Sequence, residues 1–283
     1  MPAGTAVNSH LIEKIRSVSA DRTVLPPGCG GFFDDELDAV FERPAYEVLF
    51  RDPMVRDSIR KQLHCLVMTR TTLEIMEFFK EKDPYTWRHL LTVFALSTHI
   101  GSIMSSADPA APVSPGSITH DIGKYSIPLE ILQKETPLTV EEQDQIRHHT
   151  IAGYILLNYS SGDVVHNNAD LIARDHHENL TGTGYPAGRR MADIKTGIVI
   201  VCDMYDALLS PRSYRKAAFD NRTALEVLTR KALQGLVPDS VVRALVACNR
   251  QSERYWQNCE LSREVRGVPP KDNCYGKTAD GCL

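Results

Sequence analysis

At 283 residues, with 42% hydrophobic and 24% charged side chains, the chain can bury a full core and fits one large domain or two small ones. Its net charge of −4 argues against broad nonspecific binding of DNA, which needs a basic surface to displace counterions, so an anionic ligand must meet a local basic cluster. The apolar run at 198–202 falls far short of the ~20 residues that cross a bilayer, and the N-terminus, with Glu13 and no long apolar core, does not read as a signal peptide; no membrane partner and a cytoplasmic location are expected.

In chain order, helical stretches are expected at 11–18, 34–49 and 55–79, with the PPGCGG break at 26–31 between the first two. No strand–helix alternation of a doubly wound regulatory domain occurs in residues 1–80, which read as a helical extension for regulation or homodimer formation. From 86 to 104, Val93, Leu96, Ile100 and Met104 recur at three- and four-residue spacing, and His89 shares their buried face. Residues 105–119 are rich in Pro, Ala and Ser and predict a loop. Thr139 and Glu142 have capping-box spacing, opening a helix that runs through Ile146, His149 and Gly153. Two more helices are predicted at 169–177 and 194–209, followed by a tail from 251 to 283. The fold class is all-α, a bundle whose site lies between helices. Seven cysteines (29, 65, 202, 248, 259, 274 and 282) form no CxxC pair and are odd in number, which indicates neither a zinc knuckle nor a disulfide framework.

The chemistry is concentrated in a series of short blocks: His89, HDIGK (120–124), His149, HHE (176–178) with GTGYP (182–186), DMYDAL (203–208) and RSYR (212–215). Imidazole and carboxylate donors without cysteine suit iron, manganese or another borderline-to-hard divalent ion. A carboxylate has two oxygens, and Asp121 is the natural bridge, because its neighbour His120 can hold one ion while the shared carboxylate reaches a second. Two ions about 3.5 to 4 Å apart would generate hydroxide at neutral pH and stabilise in-line displacement at phosphorus. Lys124, four residues after His120, is expected over the same helical face, where it can hold a phosphate oxygen. Gly182 and Gly184 fit a loop of unusual dihedrals that presents Tyr185 to a ligand, and Arg212 and Arg215 suit phosphate or guanine edges.

In this order and company the blocks resemble the HD-GYP family of HD metal-dependent phosphohydrolases, over roughly residues 84–250. The resemblance implies an HD-type helical domain (81–250) that hydrolyses cyclic di-GMP to linear pGpG, and leaves open whether hydrolysis continues to GMP. It implies that His89, His120, Asp121 and Asp203 surround one metal, and that His149, His176 and His177, with Asp121 shared, surround the other; His149 rather than its neighbour His148 is the ligand. It also tips Arg212 and Arg215 toward substrate and adds Asp206 as a further binding group. His10, His64, His99 and His166 fit no block and read as structural or surface residues. Tyr85 stands where some members have a Glu that helps hold a third metal, so two metals are expected; Thr92 and Thr181 replace the usual Arg and Asp. The loop at 105–119 and the changes at Thr92 and Thr181 keep open the alternative of a cyclic-dinucleotide sensor that signals through its N-terminal region, and a phosphohydrolase for another nucleotide stays open because base selection depends on pocket shape.

Overall fold

Half of the described α-helices start where a short polar side chain takes up free backbone N–H groups. Asp52, Thr69, Asp83, Thr139, Asp193 and Asp220 each accept from a backbone N–H in the following first turn, and at Thr139 the box with Glu142 is complete. The structure, a computed structural model, describes residues 12–13, 23–25, 32–105, 115–161, 168–191, 193–211, 217–271, 277–278 and 281–282. Its helices are α1 (Asp34–Phe41), α2 (Pro53–His64), α3 (Arg70–Lys82), α4 (Pro84–Met104), α5 (Pro115–Thr119), α6 (Leu129–Leu132), α7 (Val140–Arg147), α8 (His149–Ser161), α9 (Ala169–Asp175), α10 (Ile194–Leu209), α11 (Asn221–Leu233) and α12 (Asp239–Asn249). Strand is limited, among the described residues, to two antiparallel pairs of two-residue strands, Val24–Leu25 with Met68–Thr69 and Lys277–Thr278 with Gly281–Cys282. The fold is all-α, as expected.

Helices α4 and α10 are buried on nearly every side, which marks them as the centre of the bundle. They pack on each other; α1, α2, α3, α5 and α12 pack on α4, while α8 packs on α9 and on the 3-10 turn Ile122–Ser126. The described part of the first 80 residues is not a separate layer. Phe33, Leu37, Phe41, Tyr46 and Phe50 belong to the same buried cluster as Leu90, Phe94, Val201 and Leu245, and Phe33 stacks on Trp87 with ring centroids 5.2 Å apart.

Several predicted bounds shift for identifiable reasons. The helix expected over 34–49 ends at Phe41, because Pro44 forces Arg43 into an extended conformation and opens a 3-10 turn, Pro44–Tyr46. The one expected over 55–79 is two helices, divided where Met68–Thr69 pairs as a strand and Thr69 caps α3. The helix expected to run through His149 breaks at His148, whose N–H is shared between the Asp144 and Gln145 carbonyls and whose ring Nδ1–H donates to the Asp144 carbonyl at 2.7 Å. Residues 115–119, expected in a loop, form α5, with Pro115 at its first position, where no backbone N–H is needed. Residues 106–114, the break at 26–31 and all but two residues of the stretch at 11–18 lie outside the described residues.

His99 is a buried core residue of α4, beside the ring of Phe50. Burial, opposed only by the charge of Asp52, lowers its pKa to about 4 from an ordinary 6.5. The unfolded chain therefore takes up a proton that the folded chain refuses as pH falls through this window. Stability is full above the upper value and declines toward the lower one, by on the order of 3 kcal/mol at most. Urea unfolding at pH 7 and at pH 4.5 should show a fall that His99→Leu reduces; an equal fall in the variant would refute the assignment.

Candidate metal centre

Five elements bring the predicted ligands together. His89 comes from α4, His120 and Asp121 from the turn after α5, His149 from the first residue of α8, His176 and His177 from the end of α9, and Asp203 from α10. Their donor atoms fall into two groups, Asp121 with His149, His176 and His177, and His89 with His120 and Asp203, each within 4.8 Å of one another. The turn can lie this close to α8 because Gly123 and Gly153 meet there; a Cβ on Gly123 would stand 1.9 Å from the His149 carbonyl oxygen.

Asp121 lies between the groups. Its Oδ2 is 3.4 Å from His89 Nε2 and 3.5 Å from His120 Nε2, and its Oδ1 is 3.1 Å from His149 Nε2 and 3.6 Å from His176 Nε2. Nδ1–H of His120 donates to the Ser117 carbonyl (2.8 Å), that of His176 to the Ala173 carbonyl (2.9 Å), that of His149 to the Ile146 carbonyl, and that of His89 to Asp206 Oδ2 (2.6 Å). A carbonyl only accepts, so the proton of each neutral ring stays on Nδ1 and Nε2 is left with a bare lone pair. The Nε2 atoms face one another, at 3.3 Å between His89 and His120 and 3.2 Å between His149 and His176, and Asp121 Oδ1 is buried with no hydrogen-bond partner. Converging lone pairs beside an orphaned carboxylate oxygen call for a cation, and the donor set fits a divalent metal.

The electrostatics agree. Burial would raise Asp121, but Lys124 and His120 hold it well below the usual carboxylate range; burial is likewise outweighed by His89 at Asp203 and Asp206, which stay ionised. Burial alone would pull His89 down, yet Asp121, Asp203 and Asp206 hold it well above the ordinary imidazole range, so without a cation its Nε2 carries a proton, which a bound metal would displace. His149 is lowered and His177 lowered further, mainly by burial, so both rings are neutral and free to donate a lone pair.

A family model described as an HD domain matches residues 91–238, more than half of the chain. The chain belongs to the HD domain family. The matched span contains the His120–Asp121 dyad and the GYP triplet at 184–186, the HD-GYP arrangement. A cyclic di-GMP phosphodiesterase of Thermotoga maritima is 36% identical over 147 residues, 50% of this chain and 40% of that protein. One of Pseudomonas aeruginosa is 33% identical over 174 residues (59% and 40%), and a 3'3'-cGAMP-specific phosphodiesterase of Vibrio cholerae is 29% identical over 180 (62% and 40%). The chain thus spans less than half the length of each of these three relatives.

Within the HD domain, the remaining predicted residues divide. Lys124 is not a helical turn above His120: it lies in the 3-10 turn, three residues past Asp121, and its ammonium pairs with Asp121 Oδ2. Tyr185 stacks on His177 (centroids 4.6 Å, 22°), and the Arg147 guanidinium lies 5.5 Å from the Tyr185 centroid. Asp206, expected to bind substrate, is fully buried instead. It sits three residues after Asp203 on one face of α10, so the two carboxylates take the two nitrogens of the same His89 ring. Arg212 and Arg215 lie outside the described residues.

Tyr85 stacks beside His89, and Thr92 is buried with its hydroxyl donating to the Arg88 carbonyl. Thr181 joins a loop organised by Asn179, whose side-chain oxygen accepts from the N–H groups of Thr181 and Thr183. Sequence reasoning missed Glu178, although the HHE block contains it: the buried carboxylate accepts from the N–H groups of Ala187 (2.7 Å) and Arg189 (3.0 Å) and ties the GYP loop to the ligand pair. Gly184 is needed there because a Cβ would meet the His177 carbonyl oxygen at 2.3 Å. It also missed the close approach at Gly123. Gly123→Ala should cost roughly 2 kcal/mol or more through overpacking and lower metal per purified chain; full metal content at wild-type stability would show that the turn tolerates displacement.

Proposed function

We propose that this chain is a metal-dependent phosphodiesterase that opens cyclic di-GMP to linear pGpG. The observation that carries the reading is the position of Asp121, with one oxygen toward each imidazole group. Asp121 would be shared between two divalent ions, one of which His89, His120 and Asp203 would hold and the other His149, His176 and His177. Iron or manganese suits seven nitrogen and oxygen ligands without sulfur. Such a pair, when bound, supplies Lewis acidity toward phosphate and activates water at neutral pH.

The protein's own part is positioning and charge. The Lys124 side chain is partly open to solvent and aimed at Asp121, so its ammonium can turn to a non-bridging phosphate oxygen and offset the charge that grows during attack. Tyr185, backed by His177 and flanked by Arg147, offers a flat wall of the kind on which a base or sugar rests. Arg212 and Arg215 are proposed to grip phosphate or guanine. The names of the relatives support a cyclic dinucleotide substrate, and the cGAMP-specific relative makes 3'3'-cGAMP the second compound to test. No described helix is long and apolar enough to cross a membrane.

Protein purified anaerobically should hold two metals per chain and, supplied with iron or manganese, convert cyclic di-GMP to pGpG on chromatography. Tight binding without turnover would instead assign a sensor, and faster turnover of 3'3'-cGAMP would reassign the substrate. Asp121→Ala should lose both ions; two retained ions would defeat the bridging role. Lys124→Gln should keep the metals and reduce kcat by about 10²-fold, the scale of losing one charge-stabilising group; an unchanged kcat would remove Lys124 from the chemistry.

A further inference from the structure

The four best-defined imidazoles are not oriented in the same way. His120, His149 and His176 are each pinned through Nδ1 by a carbonyl three residues back on their own chain segment, so their orientation comes with the local backbone. His89 is pinned instead by a side chain 117 residues away, Asp206. Asp206 in turn is held largely by the N-terminal part of the chain: its Oδ1 accepts from the Tyr46 hydroxyl and from Ser210 Oγ (2.8 Å), and Arg43 Nη1 lies 3.6 Å from it. Arg43 also donates to Ser210 Oγ at 2.9 Å and lies over the Tyr46 ring, 4.9 Å from its centroid. Tyr46 is 0% exposed, whereas Arg43 keeps part of its surface in solvent. Both residues precede the segment that matches the HD domain, and so does His89.

We propose that Arg43 and Tyr46 are positioning residues for one half of the metal centre, acting through Asp206 on His89. The N-terminal segment thereby controls the affinity of the ion held by His89, His120 and Asp203, while the other ion is set by the local backbone. This rests on the dinuclear reading above. Physically, Asp206 fixes the Nδ1–H tautomer of His89 and the direction of its Nε2 lone pair, and the Tyr46 hydroxyl and Arg43 fix the carboxylate. Partners of this outer kind typically govern metal affinity by roughly 10- to 100-fold. Arg43 is the accessible end of the relay, so a change in how residues 43–46 pack is transmitted to a metal ligand without contact with substrate.

The test is calorimetric titration of the metal-free 283-residue chain with Mn²⁺ alone, beside a thermal melt. Tyr46→Phe keeps the buried ring and removes only the hydroxyl; Arg43→Gln removes the charge at a partly exposed site. Each should weaken one of two Mn²⁺ binding steps by roughly tenfold or more and leave the other unchanged. The weakened step should be the one that His89→Ala abolishes, and Arg43→Lys should recover part of the loss. Wild-type Mn²⁺ binding in both variants would overturn the proposal, as would equal weakening of both steps with a lowered melting temperature, the mark of a merely structural role. If the wild type takes up a single ion, the dinuclear reading falls, and the relay stands or falls on whether that step weakens in Tyr46→Phe.

Discussion

The position of one buried carboxylate governs the rest of the site. Asp121 must offer one oxygen to α4 and the other to α8 and α9, which are brought to it by different parts of the chain. That is feasible only if the turn carrying it lies closer to α8 than side chains normally permit, which explains glycine at 123 and, facing it, at 153. The close packing of α8 against this turn and against α9 then sets where His149, His176 and His177 stand. A bundle of this kind can place seven donors in a small volume because each element contributes one or two residues at its end or along its buried face, where backbone position is stiffest.

The orientation of the ligands is divided between local and distant causes. Where a histidine follows or opens a helix, the carbonyl three residues earlier is already in place to accept its Nδ1–H, as with Ser117, Ile146 and Ala173. His89 lies inside α4, where backbone carbonyls are committed to the helix, so its Nδ1–H needs a side-chain acceptor. Asp206 fills that need from α10, and its own remaining oxygen is satisfied from residues 43–46 and Ser210. The same logic operates at Glu178, which fixes the GYP loop by accepting two backbone N–H groups and so holds Tyr185 beside His177.

This division accounts for what was legible in the sequence. The all-α class, the capping box at Thr139, the helix at 194–209 and the family blocks were readable because they are local patterns of period, cap or motif. Of the two adjacent histidines, the structure places His149 in the buried donor group, while His148 turns back to its own helix. Asp206 was misread because an acidic residue near a phosphate site has no sequence mark that separates contact with substrate from contact with a ligand. Arg43 and Tyr46 left no signal, since their partners are 160 or more residues away. Gly123 was visible as a letter in a motif, but its cause, an approach of two backbones, exists only in three dimensions.

The energetic consequence is that this centre is costly to build. Asp121, Asp203 and Asp206 are removed from water together, at 2%, 8% and 0% exposure, along with four imidazoles at 2% or less. Burying unpaired charge on this scale is strongly unfavourable, and hydrogen bonds from the imidazoles and Lys124 offset it only in part, because Asp121 Oδ1 has no donor and the Nε2 lone pairs of His149 and His176 oppose one another. The remaining imbalance is of one sign: it favours positive charge between the groups and nothing else. A core that is otherwise apolar and continuous from Phe33 to Cys259 supplies the stability that tolerates it, which is why α4 and α10, the most buried helices, are the ones that carry His89 and Asp203. Metal affinity in such a site is folding energy held back until the cation arrives. It follows that residues tying the N-terminal segment to Asp206 act on affinity and stability through the same hydrogen bonds.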